Sequence, residues 1–266
     1  MAEPFLKWAG GKRWLAHSSQ LPCPRSFERY IEPFLGGGAI FFHLTPQKAI
    51  LSDINPELIE LYCVMRDSPT ELMDLMKRHH KLHNNTYYYS IRNNTPDTRI
   101  ERAARMLYLN RTCWNGLYRV NLKGVFNVPI GTKSSVVFEH DDFEAIAKLL
   151  QDTDIQCCDF EETISKAKAG DFIFIDPPYT VRHNLNGFIK YNEKLFSWDD
   201  QIRLKNSVEK AIERGASVTV TNADHDSIKD LYKEICEYHS IARSSILAGR
   251  SDRRTRTTEV IFSANI

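Results

Sequence analysis

The stretch from residue 30 to residue 53 constrains the fold more than any other part of the chain. Tyr30-Ile31-Glu32-Pro33-Phe34 reads as a short strand, Gly36-Gly37-Gly38 as a turn, 39–44 as a helix, and Lys48-Ala49-Ile50-Leu51-Ser52-Asp53 as a second strand ending in an acid. Strand, glycine turn, helix, strand, acid is how a nucleotide-binding βαβ unit begins. Glycine lets the main chain approach a ligand, and the acid accepts from ribose hydroxyls. Phe41 stands where G-x-G-x-x-G would need its third glycine, which disfavours a nicotinamide dinucleotide, while Asp53 lies a workable 15 residues beyond Gly38. Ala9-Gly10-Gly11-Lys12 fits a Walker A loop only in part, since Leu6 and Arg13 occupy the positions of its first Gly and its Ser/Thr.

The second constraint is Asp176-Pro177-Pro178-Tyr179, which follows the apolar run Phe172-Ile173-Phe174-Ile175. That run reads as a fully buried strand, and ligand sites in open α/β sheets lie beyond the carboxyl ends of strands. Two prolines have no N–H to donate and hold φ near −65°, so they form a stiff turn with outward carbonyls. Asp adds a carboxylate acceptor and Tyr a flat ring. The set suits a planar amine such as adenine N6: acceptors take the N–H protons and the ring stacks on the base. With the glycine turn and Asp53, it favours a nucleoside-type cofactor.

With 42% hydrophobic and 26% charged residues, the chain has an ordinary globular composition. No apolar run is long enough to span a bilayer and the first residues carry no signal-peptide h-region, so a cytoplasmic protein without a membrane partner is expected. Cys23, Cys63, Cys113, Cys157, Cys158 and Cys236 show no zinc-site spacing and read as free thiols; no metal is expected. His79, His80 and His83 stand among Lys77, Arg78 and Lys81 and read as a solvated helix face.

The net charge is only +1, but its distribution is uneven. Arg92, Arg99, Arg102, Arg105, Arg111, Arg119, Lys123 and Lys133 face only Asp97 and Glu101, a local excess of six. Arg243, Arg250, Arg253, Arg254 and Arg256 against Asp252 leave an excess of four. Two such stretches suggest either a basic face that attracts phosphates or two solvated patches.

Periodicity predicts a helical stretch over 56–81 and a basic helix over 100–109. The segment 110–133 loses periodicity and is rich in Asn, Gly, Arg and aromatics, which suits a functional loop or hairpin. The α/β rhythm resumes near Phe143, with strands expected at 155–158, 172–175 and 216–221 and helices at 198–214 and 224–234. The strands 238–242 and 258–264 read as paired edge strands. The expected architecture is an α/β sheet domain formed by 1–55 and 144–266, interrupted by a helical, basic insertion at 56–143.

Lys7-Trp8-Ala9-Gly10-Gly11-Lys12, Glu32-Pro33-Phe34-Leu35-Gly36-Gly37-Gly38, Ser52-Asp53-Ile54-Asn55 and Asp176-Pro177-Pro178-Tyr179 occur in this order. Together they resemble the Dam/DpnM (α-class, D12) group of S-adenosylmethionine-dependent DNA adenine-N6 methyltransferases. Asn110-Arg111-Thr112, Asn115-Gly116-Leu117-Tyr118-Arg119 and Phe126-Asn127-Val128-Pro129 are similar to that family's recognition segment. The resemblance implies a Rossmann-like methyltransferase sheet with an inserted DNA-recognition domain. It implies S-adenosylmethionine as methyl donor, S-adenosylhomocysteine as product, and double-stranded DNA as partner.

By the same resemblance, Trp8, Ala9, Gly10, Lys12, Glu32, Phe34, Gly36 and Gly38 line the cofactor pocket. Asp53 binds the ribose, Asp159 and Phe160 flank the cofactor adenine, and 176–179 is the catalytic motif, with Asp176 also reaching the cofactor. Phe188 and Tyr191 match an F-x-x-Y element near the target base. Lys7, Arg111, Trp114, Asn115, Leu117, Arg119, Asn127, Pro129 and Lys133 fall in DNA-contacting segments. Arg119 is the candidate for guanine readout, and Trp114 either a wedge in the base stack or a core tryptophan. Arg105, Arg111 and Lys123 read as phosphate contacts or structural ion-pair members.

GATC is the candidate recognition site, although the segment 181–187, Lys133 and Trp114 depart from GATC-specific members. A monomer is expected, and a cognate restriction enzyme is a candidate partner. A cytosine-N4 methyltransferase is the nearest rival, disfavoured because Ser usually replaces the first Asp there. A non-catalytic DNA-binding regulator is the rival of a different class.

Overall fold

The computed structural model describes residues 3–116, 118–121, 124–181, 196–244 and 256–266. Its strands are β1 (Arg29–Glu32), β2 (Ala49–Asp53), β3 (Thr153–Cys157), β4 (Asp171–Ile175), β5 (Ser217–Ala223), β6 (Glu237–Ser244) and β7 (Arg256–Ala264). Its α-helices are α1 (Arg13–Ala16), α2 (Ala39–Leu44), α3 (Pro56–Asp67), α4 (Pro69–Leu82), α5 (Asn85–Asn93), α6 (Arg99–Thr112), α7 (Phe143–Leu150), α8 (Phe160–Ser165), α9 (Trp198–Glu213) and α10 (Asp226–Tyr232). The chain divides into two compact units, Met1–Gln20 with Leu35–Cys157, and Leu21–Phe34 with Cys158–Ile266. Both are mixed α/β, as the sequence patterning implied. The segment 56–143 falls wholly within the first unit.

In the first unit β2 and β3 run parallel, with Asp53 opposite Cys157, and α3 packs on both strands and on α6 and α7. The Asn55 side chain accepts from the N–H groups of Glu57 and Leu58 and Pro56 opens α3, so the strand passes into the helix within a few residues. The helical stretch expected over 56–81 is two helices: α3 stops at Ser68 because Pro69 cannot donate, and Pro69 instead starts α4. The sequence reading missed α5, a short helix whose one fully buried side chain is Tyr88. Helix α6 is buried continuously from Ala103 to Thr112.

The histidines are only in part a solvated face: His80 is exposed, while His79 and His83 are half-buried. The His79 ring stacks on Tyr108, with centroids 4.7 Å apart, and its Nδ1 is 2.8 Å from the Tyr87 hydroxyl. Burial pulls the His79 pKa down to about 4. His83 Nδ1 lies 2.8 Å from the Tyr108 hydroxyl, and His80 Nδ1 accepts from the Val136 N–H at 3.1 Å. Flanking lysines and arginine obscured a packing role that only the α4–α6 contact creates.

In the second unit the strand order is β1-β4-β5-β7-β6. β1, β4 and β5 are parallel, with Ile31 opposite Ile173 and Ile175 opposite Val220. β7 runs antiparallel to both β5 and β6. The two C-terminal strands pair as expected, but β7 is an interior strand of this order rather than an edge. Phe172, Ile173, Phe174 and Ile175 are all buried, which confirms the two-sided burial read from their unbroken apolar run. A capping box between Ser197 and Asp200 starts α9, which packs on α8 and β5. All six cysteines are free thiols, and no helix among the described residues is long and apolar enough to cross a membrane.

Much of the basic excess is consumed inside the first unit. Arg102 pairs with Glu60 at 2.6 Å, and Arg99 with Asp67 at 3.4 Å. Buried Arg105 donates to the carbonyls of Ile91 and Arg92 at the end of α5. Arg111, expected among the DNA-contacting residues, is a core residue instead. Its guanidinium grips Asp141 through two bonds of 2.6 and 2.7 Å and donates to the carbonyls of Val136 and Phe5. The two side chains are only 3% and 4% exposed. Breaking such a pair strands a buried charge, at a cost of about 3–5 kcal/mol. Arg111→Ala is expected to lose that much unfolding free energy in urea titrations, and Arg111→Leu combined with Asp141→Asn to lose less. A single variant within about 1 kcal/mol of wild type would contradict this structural role.

Candidate functional site

In the first unit the glycine turn is shaped by its surroundings. Gly36 and Gly38 have φ of 48° and 63°, in the left-handed region that side chains disfavour. A Cβ on Gly36 would lie 2.7 Å from Trp8 Cδ1, and one on Gly38 would lie 2.9 Å from the Tyr62 hydroxyl oxygen. That hydroxyl donates to the Gly36 carbonyl at 3.2 Å. The Gly36 N–H donates to Asp53 Oδ2 at 3.1 Å and the Asn55 N–H to Oδ1 at 3.0 Å, so the acid at the end of β2 is tied to the turn. Burial raises the Asp53 pKa from its ordinary value, against these main-chain bonds, which act to lower it. An ionised carboxylate has roughly four acceptor positions, so Asp53 can take a hydroxyl donor as well. The exposed Ala9 and Gly10 continue from Trp8, and buried Lys12 donates from Nζ to the Gly10 carbonyl at 2.9 Å. Trp8, Ala9, Gly10, Lys12, Gly36, Gly38 and Asp53 are thus one connected group.

The same loop reaches the segment expected to touch DNA. Lys7 is clamped through its main chain: its N–H donates to Asn110 Oδ1 at 3.1 Å and its carbonyl accepts from Asn110 Nδ2 at 2.7 Å. Lys7 Nζ donates to the Asn115 carbonyl. Burial, with Lys133 as a second cause, lowers the Lys7 pKa. The Trp114 N–H donates to the Pro129 carbonyl at 2.9 Å, and bridges pair Cys113 with Ile130 and Val120 with Phe126. The aperiodic stretch is therefore a hairpin-like excursion. Tyr118 lies between Trp8 and Phe126, with ring centroids at 6.3 and 4.6 Å, and donates to Glu57 Oε2 at 2.6 Å. Asn115, Arg119, Asn127, Pro129 and Lys133 are exposed. Trp114 is 52% exposed, so it is not a core tryptophan. Leu117 and Lys123 lie outside the described residues.

In the second unit Glu32 is buried and accepts from the Tyr30 hydroxyl at 2.9 Å. Phe34 stacks on Phe160 with centroids 5.4 Å apart. Asp159 caps α8 and pairs with Arg203 at 3.0 Å, and the Arg203 guanidinium lies 4.9 Å over the Phe160 ring. Asp176 follows β4 directly. The ladder places Ile175 opposite Val220, and the next residue on β5, Thr221, donates its hydroxyl to Asp176 Oδ1 at 2.7 Å. Tyr179 donates from its hydroxyl to Glu259 Oε2 at 2.9 Å. Burial pushes the Tyr179 pKa well up, and the negative charges of Asp176 and Glu259 push it the same way, so the phenol keeps its proton. Pro177 is buried, and the Pro178 carbonyl faces Gln201 Nε2 at 3.5 Å. Phe188 and Tyr191 lie outside the described residues.

The sequence reading missed Asn110 as a clamp, Tyr118 as a link, and Thr221 and Glu259 as supports of the 176–179 motif. Glu259 had a signal: it is a lone acid entering the apolar run Val260-Ile261-Phe262. Thr221 had none, because Thr is an ordinary strand residue.

The first unit thus carries a glycine turn tied to an acid, and the second a fixed carboxylate and phenol beyond a buried strand. The D12 class N6 adenine-specific DNA methyltransferase family matches residues 8–246. The type II methyltransferase M1.LlaDCHI of Lactococcus lactis subsp. cremoris is 38% identical over 98% of this chain and 94% of its own length. The type II methyltransferase M.MjaIII of Methanocaldococcus jannaschii is 36% identical over 83% and 84%. A DNA adenine methylase of Vibrio cholerae is 36% identical over 86% and 84%. The chain belongs to the D12 class N6 adenine-specific DNA methyltransferase family. It is a site-specific adenine-N6 DNA methyltransferase.

Gly36→Ala forces a side chain into a left-handed position already filled by the Trp8 indole. The backbone alone costs about 1–2 kcal/mol. Thermal unfolding is expected to show a lower midpoint for this variant than for Gly10→Ala, where no atom lies within 4 Å of the added Cβ. Equal midpoints would show that Trp8 does not constrain the turn.

Proposed function

We propose that the chain binds S-adenosylmethionine through the 8–12 loop, the 36–38 turn, Asp53, Glu32, Phe34, Asp159 and Phe160, and methylates an adenine flipped out of duplex DNA. In this reading 56–143 is the DNA-recognition insertion and GATC is the candidate site. The single observation that carries it is the Asp176 carboxylate, fixed by Thr221 at the end of a buried strand, followed by a protonated Tyr179 anchored at its hydroxyl. The connected glycine turn and Asp53 suit a nucleoside, since they offer close main-chain approach and a carboxylate acceptor for ribose.

When bound, S-adenosylmethionine supplies an electrophilic methyl group on a sulfonium. Flipping the base costs a few kcal/mol, and stacking on Tyr179 offsets about 1–3 kcal/mol of it. The adenine N6 lone pair is delocalised into the ring. Asp176 and the Pro177 carbonyl accept the N6 hydrogens, which favours a pyramidal nitrogen with its lone pair available for direct displacement. Asp176 then stabilises the positive charge that develops on N6. Lys7, Trp114, Asn115, Leu117, Arg119, Asn127, Pro129, Lys133, Phe188 and Tyr191 meet the DNA. Exposed Arg119 reads guanine through O6 and N7.

The test is incubation with unmethylated DNA and labelled S-adenosylmethionine, followed by nucleoside analysis. N6-methyladenine is expected, with at least about a 100-fold loss in Asp176→Ala. Methylcytosine, or undiminished product from Asp176→Ala, would overturn the assignment. Arg119→Ala is expected to lose about 1–3 kcal/mol of discrimination at a guanine position, read by sequencing the methylated product, with cofactor affinity unchanged. An unchanged methylation pattern would remove Arg119 from base readout.

A further inference from the structure

Glu259 is a charged residue where the sheet would accept an apolar one. It lies on interior strand β7, opposite Ala223 of β5 and Ile241 of β6, and is 3% exposed. Val260, Ile261 and Phe262, which follow it, are fully buried. A carboxylate in such a place is costly to the fold unless it is hydrogen-bonded. Its Oε2 takes the hydroxyl of Tyr179 at 2.9 Å. Residues 176 and 179 are held in the same way from neighbouring strands: Thr221 of β5 fixes Asp176, and Glu259 of β7 fixes Tyr179. Anchoring the hydroxyl fixes the direction of the ring's long axis, and because a phenol O–H lies in the plane of its ring, a hydrogen bond in a set direction also favours one ring plane.

We propose that Glu259 is a positioning residue for methyl transfer: its carboxylate holds the Tyr179 hydroxyl and so sets the ring face on which the target adenine stacks. This rests on Tyr179 being the platform for the flipped base. At 2.9 Å the bond has an ordinary O–H···O length. Gln at 259 keeps an acceptor of the same reach, whereas Leu keeps the volume and removes the acceptor. Loss of the Glu259 acceptor removes one of the groups that hold the hydroxyl, Thr221 being another, and lets the ring shift; misplacement by about 1 Å can cost about 100-fold in rate.

The experiment compares the full-length wild type with Glu259→Gln, Glu259→Leu, Tyr179→Phe, Tyr179→Ala and the Glu259→Leu/Tyr179→Phe double variant. Single-turnover methyl transfer, affinities for S-adenosylmethionine and duplex DNA, and fluorescence of 2-aminopurine at the target position are measured. Glu259→Gln is expected to stay within about 3-fold of wild type, while Glu259→Leu and Tyr179→Phe each slow methyl transfer by about 10- to 100-fold. Both affinities stay unchanged, and the fluorescence of the flipped base rises because the ring no longer quenches it. The double variant is no slower than the slower single variant, since both single changes remove the same Tyr179–Glu259 hydrogen bond.

Wild-type rate in Glu259→Leu, or multiplied losses in the double variant, would overturn the proposal. If Glu259→Leu does not fold, Tyr179→Phe decides: an undiminished rate there overturns it and a slowed rate with unchanged affinities supports it. An undiminished rate in Tyr179→Ala would instead remove Tyr179 as the platform, a separate failure of the functional reading.

Discussion

The Trp8 indole occupies the space where residue 36 would carry a Cβ, and the first unit is organised around that contact. It requires glycine at 36 for steric reasons as well as for the left-handed φ. From this point one line of contacts runs through Gly36 to Asp53, and another through Tyr118 to Phe126. The Asn110 amide adds a two-bond clamp on Lys7, one residue before Trp8. The loop expected to hold the cofactor and the hairpin expected to read DNA are therefore built on adjacent residues.

The second unit solves a different problem. Asp-Pro-Pro-Tyr has few N–H groups with which to fix itself, so its side chains are held from outside. The parallel β4–β5 register brings Thr221 beside Asp176, and antiparallel β7 brings Glu259 beside Tyr179. Buried groups that accept or donate at set distances give a rigid constellation.

The distribution of arginine shows why local charge is a weak guide to binding. Arg99, Arg102, Arg105 and Arg111 lie in the most basic stretch, and all four hold the first unit together through carboxylates or helix-end carbonyls. Arg119 and Lys133, from the same stretch, are exposed. Arginine serves both purposes because its planar fork matches a carboxylate or a row of carbonyls as well as it matches phosphate or guanine.

The sequence by itself determined the elements whose cause is local. Glycines between a strand and a helix, a double proline after an unbroken apolar run, and an acid at a strand end each restrict the backbone or its burial directly, and β1, α2, β2 and β4 formed where those signals lie. The ordered motifs also sufficed to indicate the family. Tertiary structure alone decided what depends on residues far apart in the chain. It turned Arg111 inward to Asp141, made His79 and His83 partners of Tyr108, and placed β7 between β5 and β6. It also gave Glu259 to Tyr179 across 80 positions. No spacing rule encodes such a pair, because the register of non-adjacent strands sets it, and that register follows from packing of the whole sheet rather than from local sequence.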